Sequence, residues 1–321
     1  MHPSVPLLVF STLLSFTTYF YFFGTPDTIA VDRTKAARPA LRPSYWGPVD
    51  SDFDWCEENN VYSPYVSELF NSATSAFYPL GSLYAWTVHS HLELSKWHLL
   101  MLWVNAIMGT GSVLFHGSLR YHTQLLDELP LYAMAILAAA ALRQRSARAA
   151  GIQPLVAAWA VVLAAVLLLS DRNSGLHHTF RGLMTVSFSI AFVFIFTVGA
   201  VAAREVDTFR ATYTKDAATA TDLFQWAFLS FVAAIVCWVL DIVACHELHA
   251  LPAGLPYPHL HAFGWHLGTC LGLLQVFALL VLHERTVRDG RAARLVWGSG
   301  FLVSLVPRVV GAASDKVSKG T

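Results

Sequence analysis

Long apolar stretches recur along this chain and are separated by short polar connections. Because backbone groups in lipid must be hydrogen-bonded within the segment, stretches of spanning length fold as helices. The sequence therefore predicts an all-α integral membrane protein, a bundle of seven helices. The seven stretches are Phe70–Val88, Leu99–Leu119, Leu125–Leu142, Leu155–Leu169, Leu183–Ala203, Phe224–Ala244 and Phe263–Leu282.

Segments outside the bundle complete the predicted organisation. Residues 1–29 contain the apolar run Val5–Phe23, which predicts an additional N-terminal hydrophobic helix, either a signal anchor or an extra span; a cleaved signal peptide is less favoured because no basic residue precedes the run. Residues 30–62 form a polar linker and residues 63–284 the bundle. Residues 285–321 form a basic tail, in which Leu295–Val306 is expected to lie at the membrane interface and the chain after Pro307 to be disordered.

Composition supports the membrane class. Of 321 residues, 55% are hydrophobic and 13% are charged, far below the charged share of about a quarter in soluble domains. The formal net charge is zero, so nothing indicates a nucleic-acid partner. The membrane itself is the expected environment, and no feature of the sequence indicates a protein partner.

Basic residues concentrate in alternate loops, which orients the bundle. The side expected to be cytosolic contains Lys96, Arg143, Arg145, Arg148, Arg204, Arg210, Lys215, Arg285, Arg288, Arg291 and Arg294. The opposite loops contain few basic residues, the linker excepted. The C-terminus is therefore expected in the cytosol, and the opposite face toward a lumen or the exterior.

One stretch, Gly109–Pro130, places polar groups among residues that otherwise suit lipid: Ser112, His116 and Asp127. In a helix Ser112 and His116 lie at positions i and i+4 and share a face. Ionisable groups near hydrocarbon are costly, so their presence indicates function by default.

A second polar stretch, His261–His266 with the sequence HAFGWH, begins the seventh span on the same side of the membrane. Together with His116, these two histidines would supply the three protein ligands of an open tetrahedral zinc site, which leaves one position for water. Asp127 would act as a general base and Ser112 would polarise a substrate oxygen. In the alternative interpretation, the histidines cap helix ends and Asp127 bonds to neighbouring backbone.

An acidic block in the linker provides oxygen ligands of the kind that calcium prefers. It contains Asp54, Glu57, Glu58, Asn59 and Glu68. Four negative charges within fifteen residues repel one another unless a cation is bound. The spacing is not that of an EF-hand, and a solvated acidic loop explains the block equally well.

Further candidates lie near the end of the sixth span. Asp241 is expected either to form a hydrogen bond to another helix or to orient the metal ligands by contacting them. Cys56 and Cys245 are expected on the same oxidising side, so a disulfide between them would tie the linker to the bundle. Cys237 and Cys270 are expected to be core residues.

Four blocks of the sequence resemble the alkaline ceramidase family, seven-span zinc amidases of a wider superfamily of membrane hydrolases and receptors. The resemblance runs from about Trp46 to Leu282 and rests on WGPVDSDFDWCEENNVYSPYVSELFN, GTGSVLFHGSLRYHTQLLDELP, WVLDIVAC and HAFGWH. It implies a catalytic pair, three zinc ligands, five calcium ligands and a disulfide. The catalytic pair would be Ser112 and Asp127, and the zinc ligands would be His116, His261 and His266. The calcium ligands would be Asp54, Trp55 through its carbonyl, Glu57, Asn59 and Glu68. The disulfide would join Cys56 to Cys245.

The resemblance implies zinc-dependent hydrolysis of the ceramide amide to a sphingoid base and a fatty acid, in the endoplasmic reticulum or Golgi with the site toward the lumen. The alternatives are a seven-span lipid-sensing receptor with a structural zinc and a hydrolase of another lipid amide or ester. The family usually spaces the two histidines of the seventh span four apart, whereas His261 and His266 are five apart. A π-bulge near Gly264 would realign them; otherwise His261 precedes the helix, with His259 as a fallback ligand.

Overall fold

The computed structural model describes residues 42–142, 152–213, 220–249, 260–290, 293–296 and 306–311. Ten α-helices occur in these ranges: α1 Leu69–Ser75, α2 Phe77–His89, α3 Lys96–Ser118, α4 Tyr121–Glu128, α5 Pro130–Leu142, α6 Ile152–Leu169, α7 Gly175–Tyr213, α8 Ala220–Val243, α9 Cys245–His249 and α10 Leu267–His283. A short 3-10 helix, Ser90–Leu92, lies between α2 and α3. A π-helix, His261–His266, leads directly into α10, and a second π-helical segment, Glu284–Arg288, follows it.

The helices fall where the apolar stretches predict them. Within the described ranges, five continuous helical stretches are long and apolar enough to cross a membrane, so the chain is a multi-pass, all-α membrane protein. The first predicted span is divided at Ala76 into α1 and α2, and the third at Leu129, just before Pro130, into α4 and α5. The total of seven spans remains a prediction.

Helix α10 occupies the centre of the bundle. Every residue from Thr269 to His283 is buried, and the helix packs against α2, α7 and α8. Its apolar residues suit either lipid or protein neighbours, and here the surrounding helices cover them on all sides. The π-helix at its start is thereby held between α1 and α8.

Two short antiparallel strands follow the bundle. Strand β1, Ala293–Val296, pairs with β2, Arg308–Gly311. The buried Val309 packs into the main core and donates its backbone N–H to His89 Nε2 at 3.1 Å. The expectation of disorder after Pro307 is therefore wrong for Arg308–Gly311, since the strand pairing and the buried valine fix this segment.

Several predicted features lie outside the described residues. They are the N-terminal hydrophobic helix within 1–29, the linker up to residue 41, most of the interfacial segment Leu295–Val306, and His259. The first two residues of the interfacial segment form the end of β1.

Candidate active site

Three histidines converge in the interior of the bundle. His116 lies in the last turn of α3, whereas His261 and His266 begin and end the π-helix. All three are buried, and one nitrogen from each lies within 4.8 Å of the others. Three imidazole nitrogens with room for a fourth ligand form the donor set of catalytic zinc sites, so the residues present fit this metal. In the described part of the chain no other group of three or more His, Cys, Asp or Glu side chains has its ligand atoms this close together.

The π-helix resolves the five-residue gap between His261 and His266. Hydrogen bonds from i to i+5 bring residues five apart onto one face, which an α-helix does not do. The bulge predicted near Gly264 is therefore confirmed. Gly264 is required at this position, because a Cβ there would overlap with the Cys237 side chain of α8.

Polar side chains contact the Nδ1 atoms of two of the three imidazoles. Glu68 Oε2 lies 2.6 Å from His116 Nδ1, and Thr74 Oγ1 lies 2.9 Å from His266 Nδ1. A carboxylate at Nδ1 favours the tautomer protonated there, which leaves Nε2 as the atom available to a metal.

His261 is fixed differently, through its backbone and its ring face. Its backbone N–H donates to Asp241 Oδ1 at 3.2 Å, and the Trp55 indole stacks on its ring with centroids 3.7 Å apart. Asp241 thus binds the backbone of His261, and its role in supporting a metal site remains a prediction. The expected disulfide is present, with Cα atoms 5.4 Å apart, and Asp241 Oδ2 accepts the backbone N–H of Cys56 at 2.9 Å.

Ser112 and Asp127 form the second part of the site. Ser112 lies one turn before His116 on α3, its Oγ accepts a hydrogen bond from Ser75 Oγ at 2.9 Å, and the Asp127 carboxyl group of α4 lies close to its hydroxyl. Gly111 permits this contact, because a Cβ at this position would overlap with the Leu126 carbonyl of α4. A hydroxyl and a carboxyl group thus approach each other across two closely packed helices.

The acidic block lies at the start of α1, where two of its members have structural roles. Both carboxylate oxygens of Glu57 accept backbone N–H groups, from Phe70 at 2.7 Å and Asn71 at 2.8 Å, and so cap the helix. Glu68 accepts the Trp55 N–H at 3.0 Å in addition to its contact with His116. In the same loop, Asn59 Nδ2 donates to Asp54 Oδ1 at 2.9 Å. These contacts account for much of the block without an ion, and calcium binding remains a prediction.

Comparison with known proteins places this arrangement in a family. The family model described as Ceramidase matches residues 47–310, which includes every site residue described above. The chain belongs to the ceramidase family. It is 31% identical over 253 residues to alkaline ceramidase YPC1 of Saccharomyces cerevisiae, covering 72% of this chain and 76% of that one. It is 36% identical over 94 residues to alkaline ceramidase 3 of Mus musculus, covering 29% of this chain and 35% of that relative. It is 25% identical over 228 residues to the alkaline ceramidase of Arabidopsis thaliana, covering 70% of this chain and 80% of that relative.

The structure of this ceramidase-family chain also places residues at the site that sequence reasoning missed. Thr74 contacts His266 and Ser75 contacts Ser112, both from α1. With Asn71, whose Nδ2 donates to Glu68 Oε2 at 3.2 Å, they lie at positions i, i+3 and i+4. The spacing of these three polar residues, which places them on one face at the start of a predicted span, was the signal that could have identified them.

Proposed function

We propose that this chain is a zinc-dependent amidase that hydrolyses the amide bond of ceramide within the membrane, releasing a sphingoid base and a free fatty acid. The observation that carries the proposal is the buried histidine trio, with Ser112 one turn away on α3 and the Asp127 carboxyl group close to that serine. Relatives that match about three quarters of the chain are named alkaline ceramidases.

His116, His261 and His266 would hold the zinc ion. When bound there, zinc would supply Lewis-acid chemistry, polarising a carbonyl and making a water molecule more acidic. Glu68 and Thr74 keep two of the ligand rings in place, and Asp241 and Trp55 fix the third. Such supporting contacts determine ligand geometry and commonly change metal affinity or activity by about 10- to 100-fold.

Asp127 is the general base and then the general acid in this proposal. Its carboxyl group takes a proton from the attacking water and returns it to the departing amine. Ser112 is positioned beside it to donate a hydrogen bond to the oxygen that becomes negatively charged as the carbonyl is attacked. A buried site in a bundle of apolar helices suits a substrate that remains in the bilayer.

Calcium binding by the acidic block belongs to the same proposal, with Asp54, Trp55, Glu57, Asn59 and Glu68 as ligands. A cation would offset the negative charges of this loop, and carboxylate, amide and carbonyl oxygens are its usual ligands. Calcium would then stabilise the segment from which Glu68 reaches His116. Equilibrium dialysis with radioactive calcium tests this, with saturation at one ion per chain expected and its loss in Asp54→Asn.

We place the protein in the endoplasmic reticulum or Golgi, with the site toward the lumen and the C-terminus in the cytosol. The loop charges support this orientation. The disulfide lies on the same side of the bundle as the histidines, and disulfides form in oxidising compartments such as the secretory lumen.

The experiment that tests the function is incubation of the purified protein with ceramide, phytoceramide and an acyl ester, with and without a zinc chelator. Chelator-sensitive release of fatty acid from a ceramide is expected. Release from the ester alone would point to another lipid hydrolase. A metal-loaded protein that releases nothing from any of the three would contradict the proposal and favour a receptor with a structural zinc.

A further inference from the structure

Arg181, near the start of α7, contacts two segments that lead to the two halves of the candidate site. It is buried, with only 7% of its surface exposed. The guanidinium forms two parallel hydrogen bonds with Glu128, from Nη1 at 2.5 Å and Nη2 at 2.7 Å. Its Nε lies 2.8 Å from Asp52 Oδ2 in the linker. One side chain thus joins α7, the end of α4 and the linker.

The contact with Glu128 leads to the candidate base. Glu128 follows Asp127 directly and is the last residue of α4. Its carboxylate also accepts a hydrogen bond from Gln124 Nε2 at 3.0 Å, so it is held by donors from two helices. Fixing Glu128 fixes the last turn of α4, and with it the position from which Asp127 reaches Ser112.

The contacts with the linker lead to a metal ligand through stacked rings. The guanidinium lies 5.5 Å from the ring centroid of Phe53. Phe53 stacks on Trp55, with centroids 5.4 Å apart and planes 13° apart, and Trp55 stacks on His261. The stack is anchored beside Arg181, because the Asp52 backbone N–H donates to Gln124 Oε1 at 2.8 Å.

We propose that Arg181 is a positioning residue that aligns the two halves of the site, Asp127 through Glu128 and His261 through the ring stack. The planar guanidinium suits this role because it pairs bidentately with a carboxylate while its face lies over an aromatic ring. The half that concerns Asp127 rests on the proposed function, whereas the half that concerns His261 requires only that the site binds zinc.

Replacement of Arg181 with Met tests the proposal, with Arg172→Met as the matched control. Arg172 pairs with linker carboxylates too, but its side chain is 38% exposed and it contacts Asp50, Asp52 and the Tyr121 ring. In the full-length protein Arg181→Met is expected to weaken zinc binding about tenfold in a chelator competition assay. It is also expected to lower kcat for ceramide on the order of 10²-fold with little change in KM, because misalignment affects the chemical step more than binding. Arg172→Met is expected to match the wild type in both quantities.

Two further variants separate the two routes. Glu128→Gln breaks the bidentate ion pair with α4, because an amide accepts only one of the two hydrogen bonds, so it is expected to lower kcat and leave zinc affinity unchanged. Phe53→Leu interrupts the ring stack, so it is expected to weaken zinc binding. If Arg181 had a purely structural role, all of these variants would be less stable, and zinc affinity and kcat would not change separately in Glu128→Gln and Phe53→Leu.

Arg181→Lys covers the case in which Arg181→Met does not fold. Lysine keeps the charge but cannot make the bidentate contact, so reduced kcat and weaker zinc binding are both expected, to a smaller degree. Arg181 variants that match Arg172→Met in zinc affinity and kcat would overturn the proposal. If the wild-type protein binds zinc but does not hydrolyse ceramide, the proposed function fails, and zinc affinity alone then decides for or against the role of Arg181.

Discussion

Asp127 is the residue on which the proposed chemistry depends most. Its carboxyl group is close to the Ser112 hydroxyl, and it is not one of the three side chains that would hold the metal. We therefore expect Asp127→Asn to abolish ceramide turnover while zinc remains bound, because the amide cannot accept a proton but has nearly the same shape. Turnover and zinc content are measured on the same preparation. Asp171→Asn, in the loop before α7, serves as the control, and near-normal hydrolysis by Asp127→Asn would refute the assignment.

Single residues were predictable from the sequence where they contrast with their surroundings. Ser112, His116 and Asp127 stand out because polar groups in an apolar stretch require an explanation. Arg181 gave no such signal, since a basic residue just before an apolar stretch is typical of a loop. Its role depends on which carboxylates the fold brings to it, and sequence spacing does not determine this.

At the scale of elements, the close approach of α3 and α4 brings Ser112 to Asp127. Gly111→Ala is expected to push the helices apart, because the new methyl group would overlap with the Leu126 carbonyl. We expect a large loss of kcat and a stability loss of about 1–3 kcal/mol, as is usual for overpacking. Gly117→Ala on the same helix is the control, since the nearest atom to its added methyl group would be Ser72 Oγ at 3.7 Å. Activity of Gly111→Ala equal to that of Gly117→Ala would contradict this account of the helix contact.

The disulfide joins the linker to the first residue of α9, just after the end of α8. A non-reducing peptide map is expected to recover Cys56 and Cys245 in one cross-linked peptide pair. Reduction should lower the melting temperature and weaken zinc binding, because Cys56 directly follows Trp55, the residue stacked on His261. Both thiols free in the native protein would contradict the pairing.

Helix positions followed from hydropathy, but helix lengths did not. The stretch Leu183–Ala203 predicts a span of 21 residues, whereas α7 covers the 39 residues Gly175–Tyr213. Its polar flanks are compatible with a helix, and hydropathy does not register a helix that continues into water. The divisions at Ala76 and Leu129 were missed because hydropathy taken over a whole stretch does not locate a break within it, although polar residues precede both positions.

The whole molecule has a polar site at one end of an apolar bundle, and its orientation in the membrane is a prediction from loop charge. A tag at the C-terminus should be digested by protease in sealed microsomes, because the basic loops and the tail are expected in the cytosol. A tag in the linker, such as one after the exposed Tyr45, should be protected until detergent is added. Protection of the C-terminal tag alone would reverse the orientation.

The most direct test of the central claim is the zinc content of the purified protein, measured by mass spectrometry for the wild type and for His261→Gln. We expect about one zinc ion per wild-type chain and a marked loss in His261→Gln, with His178→Gln, an exposed histidine of α7, retaining the metal. A wild-type protein that hydrolyses ceramide without zinc, or a His261→Gln variant with undiminished zinc, would contradict the account.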